Sequence, residues 1–220
     1  MGAHSRCKDF GLHMPVRAET FDFISNLDTL WAVVAGAVLA TAGGFVATQI
    51  EHRVDSRRRE RQAALFFGEV MALLGVTVEA AGRARGIGNP YGPVTMRLLR
   101  MIRRELDVYD RNRERLFELR DPALRARIHT TLLRTMMGVE GAMEAAAECN
   151  DVEAELKMNT EMGAARREHL QARLADQCRL RDGGFDFLVD ASQQGARVIK
   201  ELEPIAKVDF AKLVRATRDA

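Results

Sequence analysis

Apolar and polar residues follow one pattern up to residue 50 and another beyond it. Residues 30–50 read LWAVVAGAVLATAGGFVATQI, 21 positions without a charge, with Gln49 the only strongly polar side chain. A helix rising 1.5 Å per residue needs roughly 20 such residues to cross a hydrocarbon core of about 30 Å. The pattern therefore predicts a transmembrane helix over residues 29–50. Trp31 stands at its start, where an indole suits the membrane interface. Ser25 and Asp28 have the three-residue spacing of a capping box, so the helix is expected to begin near them. A cleaved leader is the rival reading, with Ala40-Thr41-Ala42 as the cleavage site. The 29 residues ahead are too long for it and carry Asp9, Glu19, Asp22 and Asp28; Met14 is an alternative start.

Past residue 50 the apolar positions fall into helical stripes. Residues 51–84 continue as helix, and 63–81 are apolar on nearly every face. Glu69 and Glu79 argue against a second span, because an acid at mid-bilayer costs about 2.5–3.5 kcal/mol. A central helix covered by its neighbours fits better. Glu69, within Phe66-Phe67-Gly68-Glu69-Val70-Met71, is the candidate for a buried polar side chain. It either occupies a narrow solvent strip or needs an arginine partner, since a buried acid must be paired or neutralised.

Residues 86–93, with three Gly and two Pro, break that helix. The next begins near Pro93 or Val94 and carries Leu98, Ile102, Leu106, Tyr109, Leu116 and Phe117 on one face. Asp121-Pro122 predicts an N-cap with proline in the first turn. Leu124, Ile128, Leu132, Met136, Val139 and Met143 stripe the helix that follows, which fades near Asn150-Asp151. A more polar helix is expected over 151–181, marked by Val152, Leu156, Met162, Leu170 and Leu174 and stopped by Gly183-Gly184. Another covers 185–202 through Leu188, Gly195, Val198, Ile199 and Leu202, with Pro204 ending or kinking it. Val208, Phe210, Leu213 and Val214 suggest a short last helix. The expected fold is all-α: one N-terminal transmembrane helix, then a cytoplasmic antiparallel helical bundle. Its parts are a tail (1–28), the span (29–50), a basic juxtamembrane segment (51–62) and the bundle (63–220).

One stretch carries a resemblance. Val108-Tyr109-Asp110-Arg111-Asn112, followed by Leu116, Leu119 and a proline-started helix with Ile128 and Leu132, resembles a pattern in uncharacterised single-span bacterial membrane proteins. The resemblance covers roughly residues 63–135. It implies an anchored, cytoplasmic helical domain and no particular activity.

Charge gives the expected orientation. Arg53, Arg57, Arg58, Arg59 and Arg61 follow the span closely, whereas only Arg17 lies within 15 residues before it. The positive-inside rule then places the C-terminal part in the cytoplasm and the tail outside. The same five arginines are the candidate contact for anionic lipid, at about 1 kcal/mol each near the surface. The net charge of +2 does not suit a dedicated nucleic-acid binder, so no nucleic-acid partner is expected. Five lysines against 28 arginines point to a GC-rich, bacterial source.

Within the span, Ala32, Gly36, Ala40, Gly44 and Thr48 recur every four residues. Small residues on one side let two helices approach closely in lipid, so this stripe is the candidate self-association face. Elsewhere the residues offer little chemistry. Cys7, Cys149 and Cys178 lack metal or disulfide spacing and read as packed or idle thiols. Glu140, Glu144 and Glu148 share a helix side without the Glu-x-x-His of di-metal bundles. His129 and His169 show no ligand spacing, and hydrolase, kinase and phosphate-loop signatures are missing. No catalytic, cofactor or metal residue is assigned, and no cofactor is implied. The expected function is a membrane-anchored helical interaction or scaffold protein. Its partners would be the bilayer, a second copy of the chain and a cytoplasmic protein. A membrane-tethered enzyme or metal-binding bundle, and a small sensor or regulatory subunit, are the alternatives.

Overall fold

A computed structural model describes residues 19–159 and 162–218, with side chains described for 31–159 and 162–215. Most of the expected tail, including Cys7, Met14 and Arg17, lies outside the described residues. Among the described residues the chain is all-helical. Its elements are α1 (Glu19–Arg85), α2 (Pro93–Arg111), a 3-10 segment (Arg113–Glu118), α3 (Pro122–Met158), α4 (Ala164–Ala206) and α5 (Phe210–Arg218). The chain divides into two units, Met1–Val54 and Asp55–Ala220. α1 starts at Glu19, so residues 25–28 sit inside the helix and do not cap it.

In the first unit, every described side chain from Trp31 to Val54 is exposed. One described helix is long and apolar enough to cross a membrane, and none of its most apolar 18-residue stretch is covered by protein.

The second unit owns the core. From α1 it takes Ala63, Ala64, Phe67, Val70, Met71, Leu74, Val78 and Ala81. α2 adds Leu99, Ile102, Leu106 and Tyr109, and α3 adds Leu124, Ile128, Leu132, Val139 and Ala142. α4 completes it with Phe185, Leu188, Val198, Leu202 and Ala206, and Phe210 of α5 closes one end against Gly68. Two boundaries fall where the local chemistry places them. Pro93 opens α2, and Asp121 caps α3 by accepting the N–H of Ala123 at 2.8 Å ahead of Pro122.

Other boundaries depart from the sequence expectation. α3 runs through Asn150-Asp151 to Met158, because Cys149 and Val152 continue its buried face past the polar pair. The separate helices expected over 151–181 and 185–202 are the end of α3 and the single helix α4. Gly183-Gly184 is not a stop. A Cβ on Gly184 would stand 2.8 Å from the backbone nitrogen of Ala142, and one on Gly138 would stand 2.9 Å from that of Leu188. These glycines let the backbones of α3 and α4 touch. Residue numbers fall along α4 as they rise along α3 in every such contact, so the two helices run in opposite directions. α4 also passes Pro204 and ends at Ala206, with Lys207 in the left-handed region at φ 57° donating its N–H to Glu203. α2 stops at Arg111, and the tighter turn after it buries Leu116 but leaves Phe117 79% exposed, off the expected apolar face.

Candidate functional site

The candidate residues fall into two surfaces and one polar cluster. The first surface is the apolar stretch of α1. Ala32, Gly36, Ala40, Gly44 and Thr48 are all exposed, and nothing lies within 4 Å of a Cβ built on Gly36 or Gly44. The hydroxyls in this stretch are satisfied by their own helix. Thr41 donates to the carbonyl of Ala37 at 2.8 Å and Thr48 to that of Gly44 at 2.9 Å. The stretch therefore leaves no threonine hydroxyl hydrogen unpaired, as suits a hydrocarbon solvent.

The second surface is basic. Arg53, Arg57, Arg58, Arg59 and Arg61 are exposed. They differ in what they touch. Arg61 donates from Nε to the carbonyl of Ala206 at 3.0 Å, covering the C-terminal end of α4. Glu60, within the same run, accepts the backbone N–H of Arg120 at 3.2 Å and pairs with its Nε at 3.3 Å. Arg120 also donates to Ser56 at 3.1 Å. The segment is thus tied down by Ser56, Glu60 and Arg61.

Glu69 is exposed, so it is not a buried polar side chain. It shares a solvent strip with Leu73 and Glu79, while Phe67, Gly68, Val70 and Met71 around it turn inward. The acidic stripe on α3 is also solvated. Glu140 pairs with Arg103 at 3.7 Å and Glu148 with Arg173 at 2.5 Å. Surface pairs of this kind contribute roughly 0–1 kcal/mol each. His129 is half-buried, and its Nδ1 shares a 2.7 Å hydrogen bond with the hydroxyl of Tyr109. Burial raises the Tyr109 pKa. His169 is exposed. Among the described residues, no three His, Cys, Asp or Glu side chains are grouped to hold a metal ion.

The polar cluster is built on α3, α4 and the loop after α1. Cys149 and Cys178, 29 residues apart in sequence, meet with their sulfurs 3.4 Å apart. Cys149 is packed, as one of the two sequence readings had it, and its neighbour is Cys178, a pairing that the sequence spacing did not suggest. Their encounter needs the chain to reverse between α3 and α4, a reversal that the polar Asn150-Asp151 pair had disguised. One turn after Cys178, Arg181 stacks on the Tyr91 ring at 4.1 Å and pairs with Asp182 at 3.4 Å. Burial lowers the Arg181 pKa, but Cys178, Asp182, Cys149 and Tyr91 outweigh it and raise the value overall. Arg85 approaches the other aromatic, Phe185, at 4.4 Å and reaches Asp182 at 3.1 Å. The Tyr91 hydroxyl donates to the Arg181 carbonyl at 3.3 Å, and burial followed by Asp182 raises its pKa. Two arginines and an acid thereby clamp the Gly- and Pro-rich loop onto α4.

Comparison with protein-family models, with curated proteins and with solved structures finds no match.

Proposed function

We propose that this chain is a membrane-anchored helical interaction protein. In this reading residues 29–50 span the inner membrane of a bacterium. The C-terminal part is a cytoplasmic antiparallel bundle that binds a protein partner, and copies associate through their spans. The carrying observation is the uncovered apolar stretch of α1. Trp31, Val33, Val34, Val38, Leu39, Phe45, Val46 and Ile50 are each 43–73% exposed. Leaving eight such side chains in water would forfeit on the order of 10 kcal/mol, comparable to the whole stability of a domain. Lipid removes that cost. The opposite directions of α3 and α4, the α4-directed Arg85–Tyr91 clamp and the shared core support the bundle. The arginine run supports the inside-facing orientation and the contact with anionic headgroups. The Tyr–Asn helix that resembles single-span bacterial membrane proteins agrees with the same architecture.

Orientation is tested with a phosphatase fused to the C-terminus. The fusion should be inactive, because the enzyme folds only outside the cytoplasm. An active fusion overturns the assigned topology. Span association is tested in a membrane two-hybrid reporter. Gly36→Ile and Gly44→Ile should weaken the signal while Val38→Ile, off the stripe, leaves it intact. Equal behaviour of all three removes the stripe as an interface.

A further inference from the structure

Among the described residues, the thiol pair is a reactive constellation that the anchoring role does not use. Cys149 is 1% exposed on α3, whereas Cys178 on α4 is partly open to solvent. Their sulfurs are 3.4 Å apart, so closing to the roughly 2.05 Å of a disulfide needs a shift of little more than 1 Å. The pair lies between closely spaced helices, whose backbones are already nearly in contact where Gly184 faces Ala142. Cys178, the less buried of the two, is the sulfur that an oxidant arriving from solvent can reach. Burial, then the hydrogen bond to Cys178, pushes the Cys149 thiol up to about 11, so Cys149 keeps its proton at neutral pH.

We propose that Cys149 and Cys178 are a reversible dithiol–disulfide couple, in which Cys178 is the hydroperoxide-reactive sulfur and Cys149 the resolving one. The Cys178 thiolate attacks one oxygen of the hydroperoxide. The O–O bond breaks, the departing oxygen takes a proton and leaves as alcohol or water, and Cys178 becomes a sulfenic acid. The sulfur of Cys149 then attacks the sulfur of Cys178. The S–O bond breaks, hydroxide leaves with the Cys149 proton as water, and the S–S bond forms. Two thiols have given up two electrons and two protons, and the peroxide has received them. A dithiol reductant reverses the step by exchange.

The consequence is local. Between Ala164 and Gly184, α4 buries only Leu170. Ahead of the Arg181–Asp182 clamp, this arm otherwise leans on the exposed pairs Arg166–Glu155 and Arg173–Glu148. A bond at Cys149–Cys178 staples it to α3, and reduction frees it. In a reducing compartment the couple rests as thiols.

The full chain carrying Cys7→Ser, in native membranes, is treated with hydrogen peroxide, quenched with acid, denatured and labelled with a polyethylene-glycol maleimide. Two adducts should fall to none, dithiothreitol should restore both, and mass spectrometry should find the Cys149 and Cys178 peptides joined within one chain. The oxidised form should melt on the order of 10 °C higher. Adding Cys149→Ser should let dimedone trap a sulfenic acid at Cys178. Adding Cys178→Ser should leave Cys149 unoxidised and free of dimedone. The readout on the Cys7→Ser chain needs neither second substitution, so misfolding of those variants leaves the test standing. Two adducts persisting after peroxide, or a bond formed only between chains, overturns the couple. Dimedone on Cys149 with none on Cys178 overturns the division of roles.

Discussion

Two stretches of α1 are both rich in apolar residues and meet opposite fates. Residues 31–50 are exposed throughout, whereas residues 63–81 are buried at Ala63, Ala64, Phe67, Gly68, Val70, Met71, Ala72, Leu74, Thr77, Val78 and Ala81. The difference lies in where the polar exceptions fall. The first stretch has no charge and spends its two threonine hydroxyls on its own backbone. The second admits Glu69 and Glu79, and both fall on one exposed strip with Leu73. A helix with a solvent strip suits a place at the edge of a protein core; one without any must be covered all round, by protein or by lipid. The placement of the charges, more than the number of apolar residues, separates the two.

The comparison breaks most sharply when a charge enters the first stretch. Val38→Asp with Leu39→Lys should cost about 5–7 kcal/mol of insertion free energy, at roughly 2.5–3.5 per residue near mid-span. The chain should shift from the membrane pellet to the soluble fraction, while circular dichroism of the helical domain stays unchanged. Next in size, Phe67→Ala removes a fully buried ring and should lower the domain's unfolding free energy by about 3–5 kcal/mol in urea titrations. Phe45→Ala, 65% exposed, should leave that free energy alone. Gly184→Ala should cost about 1–3 kcal/mol by forcing α4 off the Ala142 backbone. If the diglycine were a helix stop, the same change would be harmless or stabilising. Smallest of all, Glu69→Gln should change stability by no more than about 0.5 kcal/mol, as an exposed surface change does. A loss above about 2 kcal/mol would put Glu69 back in the interior.

Signals written within a few residues were legible in the sequence. Pro93, Asp121-Pro122 and the 86–92 loop mark real boundaries, and the stripes name Ile102, Leu106 and Tyr109 of the buried face of α2 and Leu124, Ile128, Leu132 and Val139 of that of α3, while missing its small residues from Thr131 to Ala146. Glycine was ambiguous, because Gly183-Gly184 serves equally as a helix stop and as a close-packing step. Only the partner backbone at Ala142 decides. Asn150-Asp151 misled for a related reason, since a polar pair on the outer side of α3 leaves Cys149 and Val152 free to continue the core. The thiol pair went unread. Its two residues are brought together by the reversal between α3 and α4, and that reversal was hidden by the misplaced boundary. A repeat of buried positions carried across Asn150 (Ala142, Ala145, Ala146, Cys149, Val152) was the signal that could have revealed it.

The central claim is that residues 31–50 are covered by lipid. Alkaline carbonate extraction of membranes from cells producing the full chain tests it most directly, because high pH strips proteins held by charge or by partners and leaves spanning ones behind. The chain should stay in the pellet, and removing residues 31–50 should send it to the supernatant. Recovery of the intact chain in the supernatant would contradict it.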